Sequence, residues 1–321
     1  MEQPRDIVVK VAHRDTLARG IVGLTLAAVD GMGLPDWTPG AHIDLKLPVS
    51  DADGMPLIRQ YSLCGDPGGR DGYRVGILHE AAGRGGSAFV HETLKEGDLL
   101  TISAPRNHFP FEPGQKTLFI TGGIGITPIL PMVRQAAAQG RDWHLVAATR
   151  SRDHLAFADE LAALDPARVR FHFDDQAGLL DLAGLLDPLD GQTTVYSCGP
   201  GGLLDALQAR NEGAAWRLRI ERFAAAAPAD LSGDGFDVIC ASNGQRLHVP
   251  AGKSILEVLR AAGIKVESSC KDGICGTCET RVLRGIPDHR DSVLTEAERA
   301  DGEYMMICVS RCKGRELELD I

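Results

Sequence analysis

Hydrophobic and polar positions divide the chain into three stretches with different periods. In residues 1–108, short apolar or alternating runs occur at 21–27, 43–47, 59–63, 73–78 and 99–102. Clusters of Gly, Pro and Asp separate them, such as Asp30-Gly31-Met32-Gly33 and Gly65-Asp66-Pro67-Gly68-Gly69. Short strands at this spacing predict an antiparallel β-barrel. In residues 109–225 the pattern becomes strand and helix in alternation. Strands are expected at 118–121, 144–148, 169–173, 194–198 and 217–223, and helices at 127–138, 155–164 and 202–209. That alternation predicts a doubly wound α/β domain around a parallel sheet. Residues 226–235 are small, polar and broken by Pro and Gly, and read as a linker. A small unit follows at 236–321, with a strand pair, a helix at 254–262 and a cysteine-dense loop.

Composition narrows the function classes. Glycine is in excess, at 37 of 321 residues, and it is grouped rather than periodic. Grouped glycine points to tight ligand-cradling loops and excludes collagen. The net charge is −10, so neither a nucleic acid nor an anionic membrane surface is an expected partner. No run approaches the roughly 18 apolar residues of a membrane span. The opening Met1-Glu2-Gln3-Pro4-Arg5-Asp6 has no apolar export region, and a cytoplasmic protein is expected. In that setting the eight cysteines read as free thiols or metal ligands rather than disulfides.

Cys270, Cys275 and Cys278 give C-x4-C-x2-C, with Cys308 as a distant fourth. This is the plant-type spacing for a 2Fe–2S cluster, in which four thiolates converge on two irons from a compact loop and one remote strand. Gly273 and Gly276 let the loop close over such a cluster and aim N–H groups at its sulfurs. Structural zinc is the alternative, but it favours paired CxxC units and only one is present. Cys312 rivals Cys308 as the remote ligand. Cys308 is preferred because it ends the apolar run Met305-Met306-Ile307, whereas Cys312 sits in a basic turn.

Two motifs mark the α/β domain. Gly122-Gly123-Ile124-Gly125-Ile126-Thr127-Pro128 joins a strand to a helix, where N–H groups and a helix start can meet a pyrophosphate. A tight structural turn is the plainer reading. Cys198-Gly199-Pro200 ends a later strand and suits close approach of a flat ring. In the barrel, Arg59, Tyr61 and Ser62 share a strand, and Gly85-Gly86-Ser87 opens a helix. Together they offer a phosphate fork, a π-face, a hydroxyl and N–H donors.

These motifs, in register over essentially the whole chain, resemble the phthalate dioxygenase reductase family of the ferredoxin–NADP reductase superfamily. The likeness is greatest to the reductase components of vanillate O-demethylase and related Rieske-type oxygenases. The resemblance implies a flavin on the barrel (1–108), NADH on the α/β domain (109–225) and a β-grasp ferredoxin domain carrying the cluster (236–321). The flavin would be FMN, with FAD as the runner-up. Its phosphate would lie near Arg59 and the Gly85-Gly86-Ser87 turn. Ile77, Leu78 and His79 would line the ring, Phe223 would pack on it, and Ser62 or Tyr61 would hydrogen-bond it.

NADH would use Gly122, Gly123, Gly125, Ile126, Thr127, Pro128, Cys198, Gly199 and Pro200. Arg150 and Asp174 at neighbouring strand ends would meet the ribose, where arginines favour a 2′-phosphate and acids a free hydroxyl. Catalysis would be positioning by Ser62, Thr127, Cys198 and Phe223, with no acid or base. The expected acceptor is a separate Rieske-type oxygenase. A stand-alone diaphorase or oxidase, or a reductase for a cytochrome P450, is the alternative.

Overall fold

The computed structural model describes residues 6–29, 33–51, 54–69, 72–112 and 114–321. The chain divides into two compact units, Met1–Leu47 with Gln60–Arg222, and Pro48–Arg59 with Phe223–Ile321. The sequence suggested three domains. The barrel and the parallel sheet both lie in the first of these units, apart from residues 48–59, which group with the second.

The first sheet contains β1 (Ile7–Ala18), β2 (Ile21–Ala28), β3 (Ala41–Ser50), β4 (Pro56–Ser62), β5 (Tyr73–Leu78), β6 (Leu99–Ile102) and β7 (Arg106–Asn107). Its order is β4-β3-β6-β1-β2-β5, with β7 on β3. The bridge Leu63↔Val75 and the bond from Cys64 N–H to the Arg74 carbonyl (2.8 Å) bring the two ends of that order together, closing the sheet. The central strand β1 was absent from the sequence reading. It carries irregularities between Val11 and His13 and between Thr16 and Ala18, which interrupt the period-2 pattern. Helix α1 (Gly86–Glu92) follows β5.

The second sheet is parallel throughout. It contains β8 (Lys116–Gly122), β9 (Asp142–Thr149), β10 (Val169–Phe173), β11 (Thr193–Cys198) and β12 (Arg217–Glu221), in the order β10-β9-β8-β11-β12. The order reverses between β8 and β11, which makes their C-terminal ends the switch point where such sheets bind ligands. Helices α2 (Ile126–Ala138), α3 (Ala158–Ala162), α4 (Asp174–Ala177), α5 (Leu182–Leu186) and α6 (Gly201–Asn211) connect the strands. The helix expected at 155–164 shrinks to α3. Phe157 adopts φ 59, a left-handed conformation that no regular helix passes through, and its ring is buried in the core. The last strand stops at Glu221, so Phe223 lies outside it and is 47% exposed.

The third sheet has the order β14-β13-β19-β15-β17, built from β13 (Phe236–Cys240), β14 (Arg246–Val249), β15 (Glu279–Arg284), β17 (Tyr304–Met306) and β19 (Glu316–Leu319). A small ladder pairs β16 (Pro287–Asp288) with β18 (Arg311–Cys312). Helix α7 (Ile255–Ala261) starts on a reciprocal cap, Ser254 Oγ accepting from Glu257 N–H (3.1 Å) while Glu257 Oε2 accepts from Ser254 N–H (2.8 Å). A second, shorter helix is α8 (Glu296–Asp301).

The segment read as a loose linker is fastened to this unit. Arg290 Nη1 donates to the carbonyls of Asp230 (2.6 Å) and Ser232 (2.8 Å). The buried Arg311 donates to the Asp234, Pro250 and Lys253 carbonyls and lies 5.1 Å over the Phe236 ring. Among the described residues, no helix is long and apolar enough to cross a membrane.

Within the first unit, Glu160 of α3 joins barrel to parallel sheet. It accepts from Arg74 Nη1 of β5 (2.5 Å) and from Arg134 of α2, which also donates to the Cys64 and Gly65 carbonyls (3.1 Å each). Replacing Glu160 with Gln leaves two half-buried guanidinium groups facing one neutral amide. The expected loss is about 1–2 kcal/mol, allowing for partial exposure, read by urea unfolding.

Candidate functional site

The two loops at the switch point fit together through their glycines. Thr121 of β8 pairs with Cys198 of β11, so Gly122-Gly123-Ile124-Gly125 and Cys198-Gly199-Pro200 leave the sheet side by side. A Cβ added at Gly122 would lie 2.4 Å from Pro200 Cδ, one at Gly125 2.2 Å from the Cys198 oxygen, and one at Gly199 2.8 Å from Gly122 N. These three glycines permit close backbone approach. Gly123 is different. Its φ is +55 and a Cβ there would meet nothing within 4 Å, so it is the glycine with open space in front of it. Ile126, Thr127 and Pro128 are buried in the first turn of α2, and Thr127 Oγ1 donates to the Ile124 carbonyl (2.9 Å). The Thr127 methyl reaches the barrel, since a Cβ at Gly76 of β5 would lie 2.9 Å from Thr127 Cγ2.

The barrel touches this loop at Gly76 of β5, where an added Cβ would also lie 3.4 Å from Ile124 Cδ1. The Leu63↔Val75 bridge sets the end of β4, with Tyr61 and buried Ser62, beside β5, with Ile77 and Leu78. His79 follows β5, its N–H on the Gly20 carbonyl (2.9 Å) and its ring 5.0 Å from His91. Gly85 takes φ 80 ahead of α1, and Gly86 and Ser87 are buried in its first turn. Ser87 Oγ accepts from Glu80 N–H (3.0 Å), which ties the β5–α1 loop. Arg59 lies in the second unit, with Nη1 on the Ile58 carbonyl (2.8 Å).

Arg150 and Asp174 directly follow the neighbouring strands β9 and β10. The Arg150 carbonyl accepts from Asp175 N–H (3.0 Å), and the Asp174 carboxylate is 3.4 Å from His172 Nε2. Arg152 stacks on Phe173 at 5.1 Å.

The switch point holds one group that the sequence reading passed over. Glu221 ends β12, paired with Cys198 of β11. Its Oε2 is buried with no hydrogen-bond partner among the described residues. Burial pushes its carboxyl up to about 8, so it holds a proton in neutral solution. Burial first, and Glu221 second, push the Cys198 thiol well above its ordinary range. The triplet Glu221-Arg222-Phe223 was visible in the sequence, but the burial of the Glu221 carboxyl was not.

In the second unit, Cys275, Cys278 and Cys308 are buried and Cys270 is partly exposed. The thiols are close enough to perturb one another, Cys270 with Cys275 and with Cys308, and Cys308 with Cys278. Backbone N–H groups of Asp272 (3.3 Å to Cys270 Sγ) and Ile274 face Cys270, and that of Gly273 faces Cys308. Contact with Cys270, then burial, raises the Cys275 thiol. Buried thiols this close, with N–H donors aimed at them, are the donor set a thiophilic iron cluster requires. The loop carries strain at Lys271, a non-glycine at φ 66. At Gly273, φ 68, a Cβ would strike Val309 Cγ2 at 2.5 Å. Cys312 stands apart from the four, its Sγ accepting from Gly314 N–H (3.2 Å).

Comparisons with known proteins agree over the full length. Residues 238–313 match the 2Fe-2S iron-sulfur cluster binding domain family, and 119–209 the oxidoreductase NAD-binding domain family. The chain is 44% identical to a vanillate O-demethylase oxidoreductase from a Pseudomonas species (strain HR199), covering 98% of this chain and 100% of the relative. It is 39% identical to the carnitine monooxygenase reductase subunit of Escherichia coli (strain K12), with 98% of each covered. Among solved structures, phthalate dioxygenase reductase, described as a modular structure for electron transfer from pyridine nucleotides to [2Fe-2S], matches with TM-score 0.69, 35% identity and 98% of each chain. An intact type IV self-sufficient cytochrome P450 monooxygenase matches with TM-score 0.86 and 40% identity over 98% of this chain, which spans 41% of that protein.

Two outcomes follow from the switch point. Gly125→Ala forces the Cys198 loop to move and is expected to cost about 1–3 kcal/mol, whereas Gly123→Ala meets only backbone strain, about 1 kcal/mol; denaturant unfolding distinguishes them. Glu221 is protonated in the folded protein where the unfolded chain has already lost its proton. Its contribution to stability is therefore complete below pH 4.5 and declines as pH rises through about 8. The E221Q variant is expected to lack that decline and to be the more stable protein at pH 8, as read from urea midpoints across the window.

Proposed function

Because this chain belongs to the phthalate dioxygenase reductase family, the electron-transfer oxidoreductases of oxygenase systems, we propose that it oxidises NADH and delivers the electrons singly to a separate Rieske-type oxygenase, using FMN and a [2Fe-2S] cluster. When bound, the flavin accepts a hydride and the cluster supplies a one-electron exit. The observation that carries this reading is the linked quartet Cys270, Cys275, Cys278 and Cys308, in one chain with a dinucleotide-type switch point.

The chain's own part is placement. Gly123 offers open backbone to a pyrophosphate, and the interlocked Gly122, Gly125 and Gly199 hold that backbone rigid. On this reading Ser62, Thr127 and Cys198 would position nicotinamide against the flavin ring, and Phe223, 47% exposed beyond β12, would pack on it. Neutral Glu221 beside Cys198 places no charge against the nicotinamide. Arg59 and the Gly85-Gly86-Ser87 turn would hold the FMN phosphate, and Ile77, Leu78 and His79 the ring edge. Asp174 supports NADH, while Arg150 and Arg152 would tolerate a 2′-phosphate.

A P450 acceptor is the second reading, favoured by the match to a chain in which a similar module is part of a P450 monooxygenase. Relatives that are whole reductase subunits of the same length favour the Rieske partner.

Cys275→Ser is expected to retain NADH-driven ferricyanide reduction and to lose cytochrome c reduction together with the reduced-cluster paramagnetic signal. Loss of both activities in folded protein overturns the division of labour. Arg59→Ala removes a charge-assisted phosphate contact and is expected to weaken flavin retention about tenfold to a hundredfold. The nucleotide extracted from wild-type protein decides between FMN and FAD. Turnover with a purified Rieske oxygenase, but not with a P450, would support the partner assignment, and the reverse would replace it.

A further inference from the structure

The hairpin tip Pro48–Arg59 belongs to the same compact unit as the cysteine loop, although more than two hundred residues separate them in sequence. The contacts responsible converge on the segment that leads into Cys270. Ser269 Oγ donates to the Ile58 carbonyl in a buried bond of 2.8 Å. The same carbonyl accepts from Arg59 Nη1 at 2.8 Å. Arg260, at the end of α7, donates to Asp51 Oδ2 (3.2 Å), to Ser268 Oγ (2.8 Å) and to the Val266 carbonyl (3.2 Å). Lys271 Nζ stands 4.0 Å from the same Asp51 oxygen. Arg260 is nearly buried, so this is a partly desolvated ion pair rather than a surface one.

We propose that Ser269 is a positioning residue for electron delivery. By sharing the Ile58 carbonyl with Arg59, it fixes the first cluster cysteine against the strand that carries the flavin-phosphate arginine, and the Asp51–Arg260 pair clamps the hairpin in that register. One carbonyl oxygen thus reports on both cofactor grips. Neither Ser269 nor Asp51 needs to touch a reacting atom, and neither takes part in a chemical step. Their role is to hold Arg59 and the segment leading into Cys270 in fixed register within the second unit, since chemistry between positioned groups is sensitive to misplacement on the scale of 1 Å. The ion pair also has a use for its charge. Asp51 Oδ1 already accepts from Met55 N–H (3.0 Å), which shapes the hairpin, and Oδ2 is left to face the two cations.

The proposal rests on the reading of the chain as a flavin and iron–sulfur reductase, and its test keeps the two apart. Full-length Ser269→Ala, Ser269→Thr and Asp51→Asn proteins are compared with wild type for iron content, the paramagnetic signal after dithionite, NADH-driven cytochrome c reduction, and hydrogen exchange of the amides at 54–62. In Ser269→Ala, exchange in the hairpin is expected to quicken about fivefold, the weight of one ordinary hydrogen bond, and cytochrome c reduction to slow severalfold at unchanged iron content and signal. Ser269→Thr, which keeps the hydroxyl, is expected to restore both. In wild type, hairpin exchange should depend on salt, and in Asp51→Asn that dependence should be lost. Cytochrome c reduction at the wild-type rate despite faster hairpin exchange overturns the positioning role, as does unchanged exchange in both Ser269→Ala and Asp51→Asn. Should Ser269→Ala not fold, Asp51→Asn carries the same comparison. Wild-type protein with neither iron nor signal would instead overturn the reductase reading itself.

Discussion

Crowding three thiols of one loop against a fourth from a distant part of the chain creates a problem that the polypeptide alone does not solve. Each of Cys270, Cys275 and Cys308 is raised above its ordinary range by burial or by its thiol neighbours. A tightly packed thiol cluster is costly to ionise and of little value when left protonated. Iron held by Cys270, Cys275, Cys278 and Cys308 would reverse both conditions, since it would take thiolates and leave their protons to solvent. The surrounding architecture follows from that constraint. Gly273 must lack a Cβ to pass Val309, Lys271 must sit at positive φ, and N–H groups must turn inward toward sulfur.

The nucleotide end answers a different constraint, close backbone approach without charge. Three of the four glycines in the two switch-point loops are occupied by each other's atoms, which leaves Gly123 as the open one. A rigid pair of loops with one exposed turn suits a dinucleotide, since pyrophosphate binding draws on fixed N–H groups more than on side chains. Glu221 belongs to the same economy. A carboxyl buried at the sheet edge without a hydrogen-bond partner among the described residues is tolerable because it stays protonated, which leaves that edge neutral.

What the sequence made legible was local. The C-x4-C-x2-C spacing sits within nine residues, so ligand geometry and sequence pattern nearly coincide. Strands at 73–78 and 99–102 were bounded correctly because turn residues flank them on both sides. Features that depend on distant neighbours were illegible. β1 disappeared behind two bulges that shift its buried face. The long helix around 155–164 failed at Phe157, whose buried ring is accommodated by a left-handed backbone that no propensity scale anticipates. The linker looked free because its polar residues give no hint that Arg290 and Arg311, sixty and more residues later, hold its carbonyls.

The cysteine loop also separates two tasks that a side-chain view would merge. Its interior is held by backbone and by buried partners. Ser292 N–H donates to the Gly273 carbonyl (2.8 Å), and Asp291 accepts from the N–H groups of Val293 (3.1 Å) and Leu294 (2.9 Å) and from Ser310 Oγ (3.3 Å). The N–H groups that face the sulfurs are therefore set by main-chain geometry, which substitutions on the loop's outer face barely alter. The exposed side chain of Asp272 can then answer to the surface it meets. The mild charge of the surrounding 236–321 segment, 12 basic against 14 acidic residues, leaves such a surface without a strong field. An acceptor that must bind briefly and leave quickly gains more from a small, weakly charged contact than from a large complementary one.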